Sequence, residues 1–155
     1  MTNRLIDEKA EKQIRGLFES RLTSPVDVTL YAGQENEDAV DFTRRFLREL
    51  AELSDKIELD EKPLSDSERE EGLVSPSVVL GRSKGYQVEI HGAPSGHEAG
   101  ALIETLALLS AGESTLSPEN EAKLSKLDSE VLLYSFVTPT CPHCPRSVLQ
   151  NHKIA

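Results

Sequence analysis

Ser135-Phe-Val-Thr-Pro-Thr-Cys141-Pro-His-Cys144-Pro145 holds both cysteines of a 155-residue chain. They form a Cys-x-x-Cys directly after the apolar run Val131–Val137. A dithiol lodged between a β-type run and a helix start is a redox motif before it is anything else. Two residues between the cysteines, at the first turn of a helix, place both sulfurs within bonding reach. The unpaired N–H groups of the helix start favour a thiolate there. Cys141 is the candidate nucleophile, and Cys144 the thiol that resolves the mixed disulfide. Pro142 suits a first helical turn, where its missing N–H costs nothing. His143, when protonated, adds positive charge beside the Cys141 thiolate. A thiolate stabilised in this way favours the reduced form and makes the disulfide the better oxidant. Two other readings compete. Half a zinc site with His143 or His152 lacks a second cysteine pair. A structural disulfide is disfavoured under cytosolic conditions.

Outward from this stretch the chain is acidic, with 27 Asp+Glu against 17 Lys+Arg and a formal net charge of −10. Nucleic-acid backbone binding needs clustered Lys and Arg, so that class is excluded. The charge fits a protein kept dispersed by self-repulsion, and a salty interior would suit it. No apolar run approaches the roughly 20 residues of a membrane span. The N-terminus lacks a signal-peptide core, which places the protein in the cytoplasm. No cofactor and no metal site is called for. His91 and His97 flank a turn and read as surface or cap residues. The six acidic residues from Asp60 to Glu71 read as a solvated loop.

Residues 6–21 carry Ile6, Ala10, Ile14, Leu17 and Phe18 at helical spacing, and Pro25 ends that segment. Val26, Val28, Leu30 and Tyr31 predict a strand. Glu37 to Leu53 predicts a helix with an acidic first turn and Val40, Phe42, Phe46, Leu47 and Leu50 on its apolar face. A strand is expected over Lys56–Leu59, then a polar stretch to Gly72 in which Ser65 or Ser67 caps a short helix. Ser77–Leu80 and Tyr86–His91 read as an antiparallel hairpin. His97 to Ser110 is patterned as a helix, with Leu102, Ile103, Leu106 and Leu109 on one side and Gly112 as its stop. The order from residue 26 is strand, helix, strand, short helix, strand, strand, helix. That is an α/β unit of thioredoxin-like order, with parallel early strands and an antiparallel late pair. After it, Ser117-Pro118 caps a new helix, Glu130–Val137 predicts another strand, and the Cys-x-x-Cys begins a further helix. Residues 118–150 thus echo the pattern of residues 6–45.

This arrangement resembles the glutaredoxin-like protein disulfide oxidoreductases of archaea and thermophilic bacteria, which carry two thioredoxin-fold units in tandem. The resemblance is most specific over Phe136–Pro145 and Asn151–Ala155. Gly92-Ala-Pro-Ser-Gly-His-Glu98 is similar to the family's turn before the last helix of its first unit. Ser75-Pro76 looks like the family's cis-proline step, so the resemblance implies a cis bond there and a neighbouring backbone that binds extended peptide. Two departures stand out. Glu37-Asp-Ala-Val40 occupies the place of the family's first Cys-x-x-Cys, and only eleven residues follow Cys144 where the family continues.

The expected organisation is a thioredoxin-like unit without redox cysteines over residues 1–113, and the opening part of a second unit over residues 114–155. The expected function is thiol–disulfide exchange on protein thiols and disulfides through Cys141 and Cys144. The resemblance implies a thioredoxin-reductase-type electron donor. The alternative is a non-catalytic binding or scaffold module, or an inactive truncated fragment. A further reading is assembly, in which the incomplete second half pairs with another copy of the chain.

Overall fold

A computed structural model describes residues 4–155; residues 1–3, where the stretch read for a leader begins, lie outside the described residues. The first helix, α1 (Glu8–Arg21), is capped by the Asp7 side chain, which accepts from the Ala10 N–H. Four strands follow: β1 (Val26–Ala32), β2 (Ile57–Pro63), β3 (Ser77–Leu80) and β4 (Val88–His91). They form one sheet in the order β2-β1-β3-β4. β1 pairs parallel with β2 from Val26↔Ile57 to Ala32↔Pro63. This pairing requires a crossover, which α2 (Glu37–Ala51) supplies. The β1–β3 and β3–β4 pairs are antiparallel.

The core lies where the sequence periodicity places it. Val26, Val28 and Leu30 of β1 and Val78 and Leu80 of β3 point to one face of the sheet. There they meet Phe46, Leu47 and Leu50 of α2, Phe18 of α1, and Leu102 and Leu106 of α4 (His97–Ala111). On the other face Tyr31 and Val79 pack under Leu64 and Leu73. Those two leucines bracket α3 (Asp66–Glu70). The polar stretch is therefore structured rather than a solvated loop. Its first residues extend β2 to Pro63, a charged edge strand. Ser65 and Glu68 then close a capping box that starts α3.

α4 is buried on nearly every side, including Ala101, Leu102, Thr105, Leu106, Ala107 and Leu109. A helix apolar all round needs cover on more than one face. The sheet and α1 cover one side, and α6 (Cys144–Ile154) packs along another. Between them, α5 (Pro118–Leu124) begins at Ser117, whose side chain accepts from the Asn120 N–H. It leaves Ala122 exposed and Leu124 only half-buried.

The strand expected over Glu130–Val137 is not formed: the segment has no ladder partner and no regular structure. A β-strand, unlike a helix, cannot satisfy its own backbone and exists only beside another strand. Both edges of the sheet, β2 and β4, are left without this segment. Among the described residues no helix is long and apolar enough to cross a membrane.

Candidate active site

The Cys-x-x-Cys sits on the N-terminal end of α4. Thr138-Pro139-Thr140-Cys141 forms a turn closed by Cys141 N–H to Thr138 C=O at 3.1 Å, with proline at the position a β-turn favours. The Pro139 carbonyl accepts from the His97 N–H at 3.2 Å. Gly96 makes this approach feasible. Its φ is +59°, and a Cβ built on it would stand 2.5 Å from the Pro139 oxygen. The redox loop is thus seated on the helix that closes the preceding sheet unit.

Both cysteines are half-buried and free. α6 begins at Cys144, with Pro145 in its first turn and His143 as its N-terminal flank. The helix-start proline is therefore Pro145, and Pro142 precedes the helix, contrary to the sequence expectation. The reason is the Thr138–Cys141 turn, which must finish before the helical ladder begins. The Cys141 thiol is pulled below its ordinary value, first by the hydrogen bond from the Cys144 thiol and then by the His143 N–H. Cys144, as the donor, is pushed up by the same contact. His143 thus acts on Cys141 through its backbone, while its side chain is exposed.

The structure adds a residue that sequence reasoning did not single out. Glu98, in the first turn of α4, is 8% exposed, and its buried Oε1 has no hydrogen-bond partner. Burial pushes its carboxyl up from the ordinary carboxylate value, with His97 opposing. Its charge is felt by both Cys141 and Cys144, raising each. An acid in a first turn reads from sequence as a partner of the helix dipole. The only sign of more was its place in the Gly-His-Glu turn.

Two turns further on, Thr105 of α4 bonds the His152 Nδ1 of α6 at 2.7 Å. Thr105 already donates to the Ala101 carbonyl, so His152 is the donor in the second bond. Burial lowers the His152 pKa to about 4, which keeps the ring neutral. Val148, midway between Cys144 and His152 along α6, is buried. Glu98 and Thr105 lie about two turns apart on α4, as Cys144 and His152 do on α6.

Ser75 and Pro76 lie elsewhere, against the loop where the family's first cysteines would stand. The Ser75–Pro76 bond is cis. Ser75 Oγ accepts from the Gly33 N–H at 2.9 Å and donates to the Glu35 carbonyl at 3.1 Å. The Ser75 carbonyl accepts from Asn36 Nδ2 at 2.9 Å. The adjacent Val74 N–H and C=O are both engaged by Ser77 Oγ. The Ser75 carbonyl and the Val74 N–H and C=O, part of the backbone expected to receive a peptide, are thus engaged within the chain. Among the described residues, no group of three or more His, Cys, Asp or Glu side chains is placed to hold a metal ion.

No protein-family model and no curated protein sequence matches the chain. Solved structures do. A protein disulfide oxidoreductase from Aeropyrum pernix K1 superposes with a TM-score of 0.84 and 26% identity, over 97% of this chain and 67% of that one. The alkylhydroperoxide reductase AhpF of Enterococcus faecalis (V583), as its C503A mutant, matches with a TM-score of 0.76 and 26% identity, over 96% of this chain and 73% of that one. The NTD_N/C domain of the same reductase gives a TM-score of 0.76 and 25% identity over the same shares. The chain therefore has the thioredoxin-like fold shared by a protein disulfide oxidoreductase and an alkylhydroperoxide reductase domain, in agreement with the resemblance carried by its Cys-x-x-Cys stretch.

Proposed function

We propose that this chain exchanges disulfides with protein thiols through Cys141 and Cys144. The observation that carries the reading is the pair of free, half-buried thiols, Cys141 and Cys144, at the start of α6; the buried, unpartnered Glu98 carboxyl, whose charge acts on both, offers a proton acceptor. As a reductase, the Cys141 thiolate attacks one sulfur of a target disulfide. That S–S bond breaks, a mixed disulfide forms, and the released target thiolate takes up a proton. Cys144 then gives its proton to Glu98 and attacks the Cys141 sulfur. The bond between Cys141 and the target sulfur breaks, the second target thiolate leaves and takes the proton from Glu98, and the chain is left with a Cys141–Cys144 disulfide. Two electrons and two protons pass to the target in all; as an oxidase the steps reverse. A carboxyl whose pKa is raised by burial suits the proton-accepting role, because its affinity for a proton lies nearer that of a thiol.

In this reading residues 1–113 serve as scaffold and supply Glu98 as proton acceptor, and residues 114–155 carry the dithiol. Support for the scaffold role comes from the Gly33–Asn36 loop, which takes up the hydrogen-bonding groups beside Ser75 and Pro76. Pro142 and His143 shape the turn between the thiols. The partners are protein dithiols and a thioredoxin-reductase-type electron donor, the location is the cytoplasm, and association between copies runs through the unpaired apolar run.

The test is insulin reduction, or oxidation of a dithiol peptide, by the full chain with Cys141→Ser as the control. Activity that depends on Cys141 is expected. An intact fold with no activity above the control refutes exchange chemistry and leaves the non-catalytic scaffold reading, which the self-closed first unit favours.

A further inference from the structure

Glu98 acts on the two thiols through space, and its buried Oε1 has no hydrogen-bond partner. Its influence is therefore set by how α6 lies along α4. The loop that leads into α6 is tied to the start of α4 by the His97 N–H to Pro139 C=O bond at 3.2 Å. Along α6 itself Val148 is buried, but an apolar contact has no direction and tolerates a slide or a turn of the helix. A hydrogen bond does not. His152 lies eight residues after Cys144, near the far end of α6, and its Nδ1 meets Thr105 Oγ1 at 2.7 Å. Thr105 is fully buried, and its one hydroxyl hydrogen goes to the Ala101 carbonyl at 2.7 Å. The lone pair that it offers to α6 thus has a fixed direction, and the ring must bring its Nδ1 hydrogen there. The ring is uncharged where thiols titrate, since burial holds its pKa at about 4.

We propose that His152 is a positioning residue for the dithiol: its bond to Thr105 fixes the register of α6 on α4, and with it the separation of Cys141 and Cys144 from Glu98. This role rests on the dithiol reading and adds to it a residue about two helical turns from the thiols. Directional bonds between buried groups are what select one packing among several apolar alternatives. One residue of slip moves a helix about 1.5 Å along its axis. A displacement of about 1 Å at a reacting group costs up to the order of 10²-fold in rate. With the Pro139 tie at one end and the Thr105–His152 bond at the other, α6 is held at two points, so that neither slip nor rotation is free.

The test follows Cys141 alkylation against pH, and release of a mixed disulfide trapped on Cys141, in the full chain. His152→Leu keeps the bulk and removes the bond. It is expected to move the alkylation midpoint down by about half a pH unit, roughly threefold in thiolate, because the thiols move off the Glu98 charge. It is also expected to slow mixed-disulfide release on the order of tenfold. His152→Asn places an amide N–H close to the Nδ1 position and is expected to restore both toward wild type. In a Glu98→Gln background His152→Leu is expected to add nothing to either. Hydrogen exchange of the α6 amides at pH 7.5 monitors docking. If His152→Leu undocks α6, His152→Asn still decides, because it must recover protection, midpoint and release rate together. An unchanged midpoint in His152→Leu overturns the proposal. So does an asparagine variant that behaves as the leucine one, or a His152→Leu shift that persists in full beside Glu98→Gln. Insulin reduction separates the two readings. A wild-type chain that fails it but shows the midpoint pattern loses the exchange function and keeps the positioning role. An active chain whose His152 variants match wild type keeps the function and loses the positioning role.

Discussion

Mild acid is expected to loosen α6 from α4 through His152. The His152 ring donates to Thr105 across the helix pair, and burial lowers its pKa from 6.5 to about 4. An undocked α6 returns the ring to water and to its ordinary value. Protonation therefore favours the undocked state. The docking contribution is complete above pH 6.5, declines as the pH falls toward 4, and is constant below that. The full effect is about 3 kcal/mol, and at pH 5 it is about 2 kcal/mol, or roughly 30-fold in the docking equilibrium. Glu98 titrates with the opposite sign, since protonating a buried carboxyl relieves its desolvation cost. A His152→Leu variant separates the two groups because leucine is similar in size and does not titrate, while the Thr105 hydroxyl still has the Ala101 carbonyl. The assay is hydrogen exchange of the α6 amides at pH 7.5, 6 and 5, corrected for intrinsic rate. Wild type is expected to lose protection on acidification and His152→Leu to keep it. Parallel losses in both proteins would refute the argument, as would a His152 ring that titrates near 6.5 by NMR.

Three further outcomes follow from the same geometry. Glu98→Gln is expected to lower the Cys141 pKa by removing a repelling charge, read from the pH dependence of alkylation, and to slow release of a trapped mixed disulfide on the order of 10²-fold. An unchanged release rate would remove Glu98 from the proton path. Gly96→Ala puts a side chain at φ +59° against the Pro139 carbonyl, and is expected to cost about 2 kcal/mol by denaturant titration and to raise the alkylation rate of both cysteines. Asn36→Gly keeps the left-handed backbone at φ 56° and removes the amide from the Ser75 carbonyl. It is expected to lower stability by about 1 kcal/mol and leave Cys141 chemistry unchanged; a change in Cys141 reactivity would argue against the scaffold role.

The sheet unit is legible in the sequence because its residues obey two periods. Val26, Val28 and Leu30 alternate, and Val40, Phe46, Leu47 and Leu50 recur at helical spacing, so each strand and helix can be placed without knowing its neighbours. The Glu130–Val137 strand fails for the complementary reason. Its residues have the right propensity, but a strand is a property of a pair of segments, and propensity names only one. The polar stretch after Asp60 passes for a loop because charges on an edge strand look the same in sequence as charges on a loop. In the site, the cysteines are legible from their spacing. Glu98 is not, because it lies 43 positions before Cys141 and only the seating of Pro139 on Gly96 brings the two together. His152 reads from sequence only as a zinc ligand; its role depends on burial, which spacing does not record.

The two-sided burial of α4 also bears on how the dithiol arm opens. Among the described residues α6 packs mainly on α4, and α4 in turn packs on the sheet and α1. The dithiol arm is thus expected to leave as a sub-global opening that spares the sheet. Exchange rates at Cys144 would then report the free energy of that opening rather than global stability. A mutation deep in β1 would leave the thiols quiet until the whole body nears unfolding, while a single change at the α4–α6 seam would alter their reactivity at once.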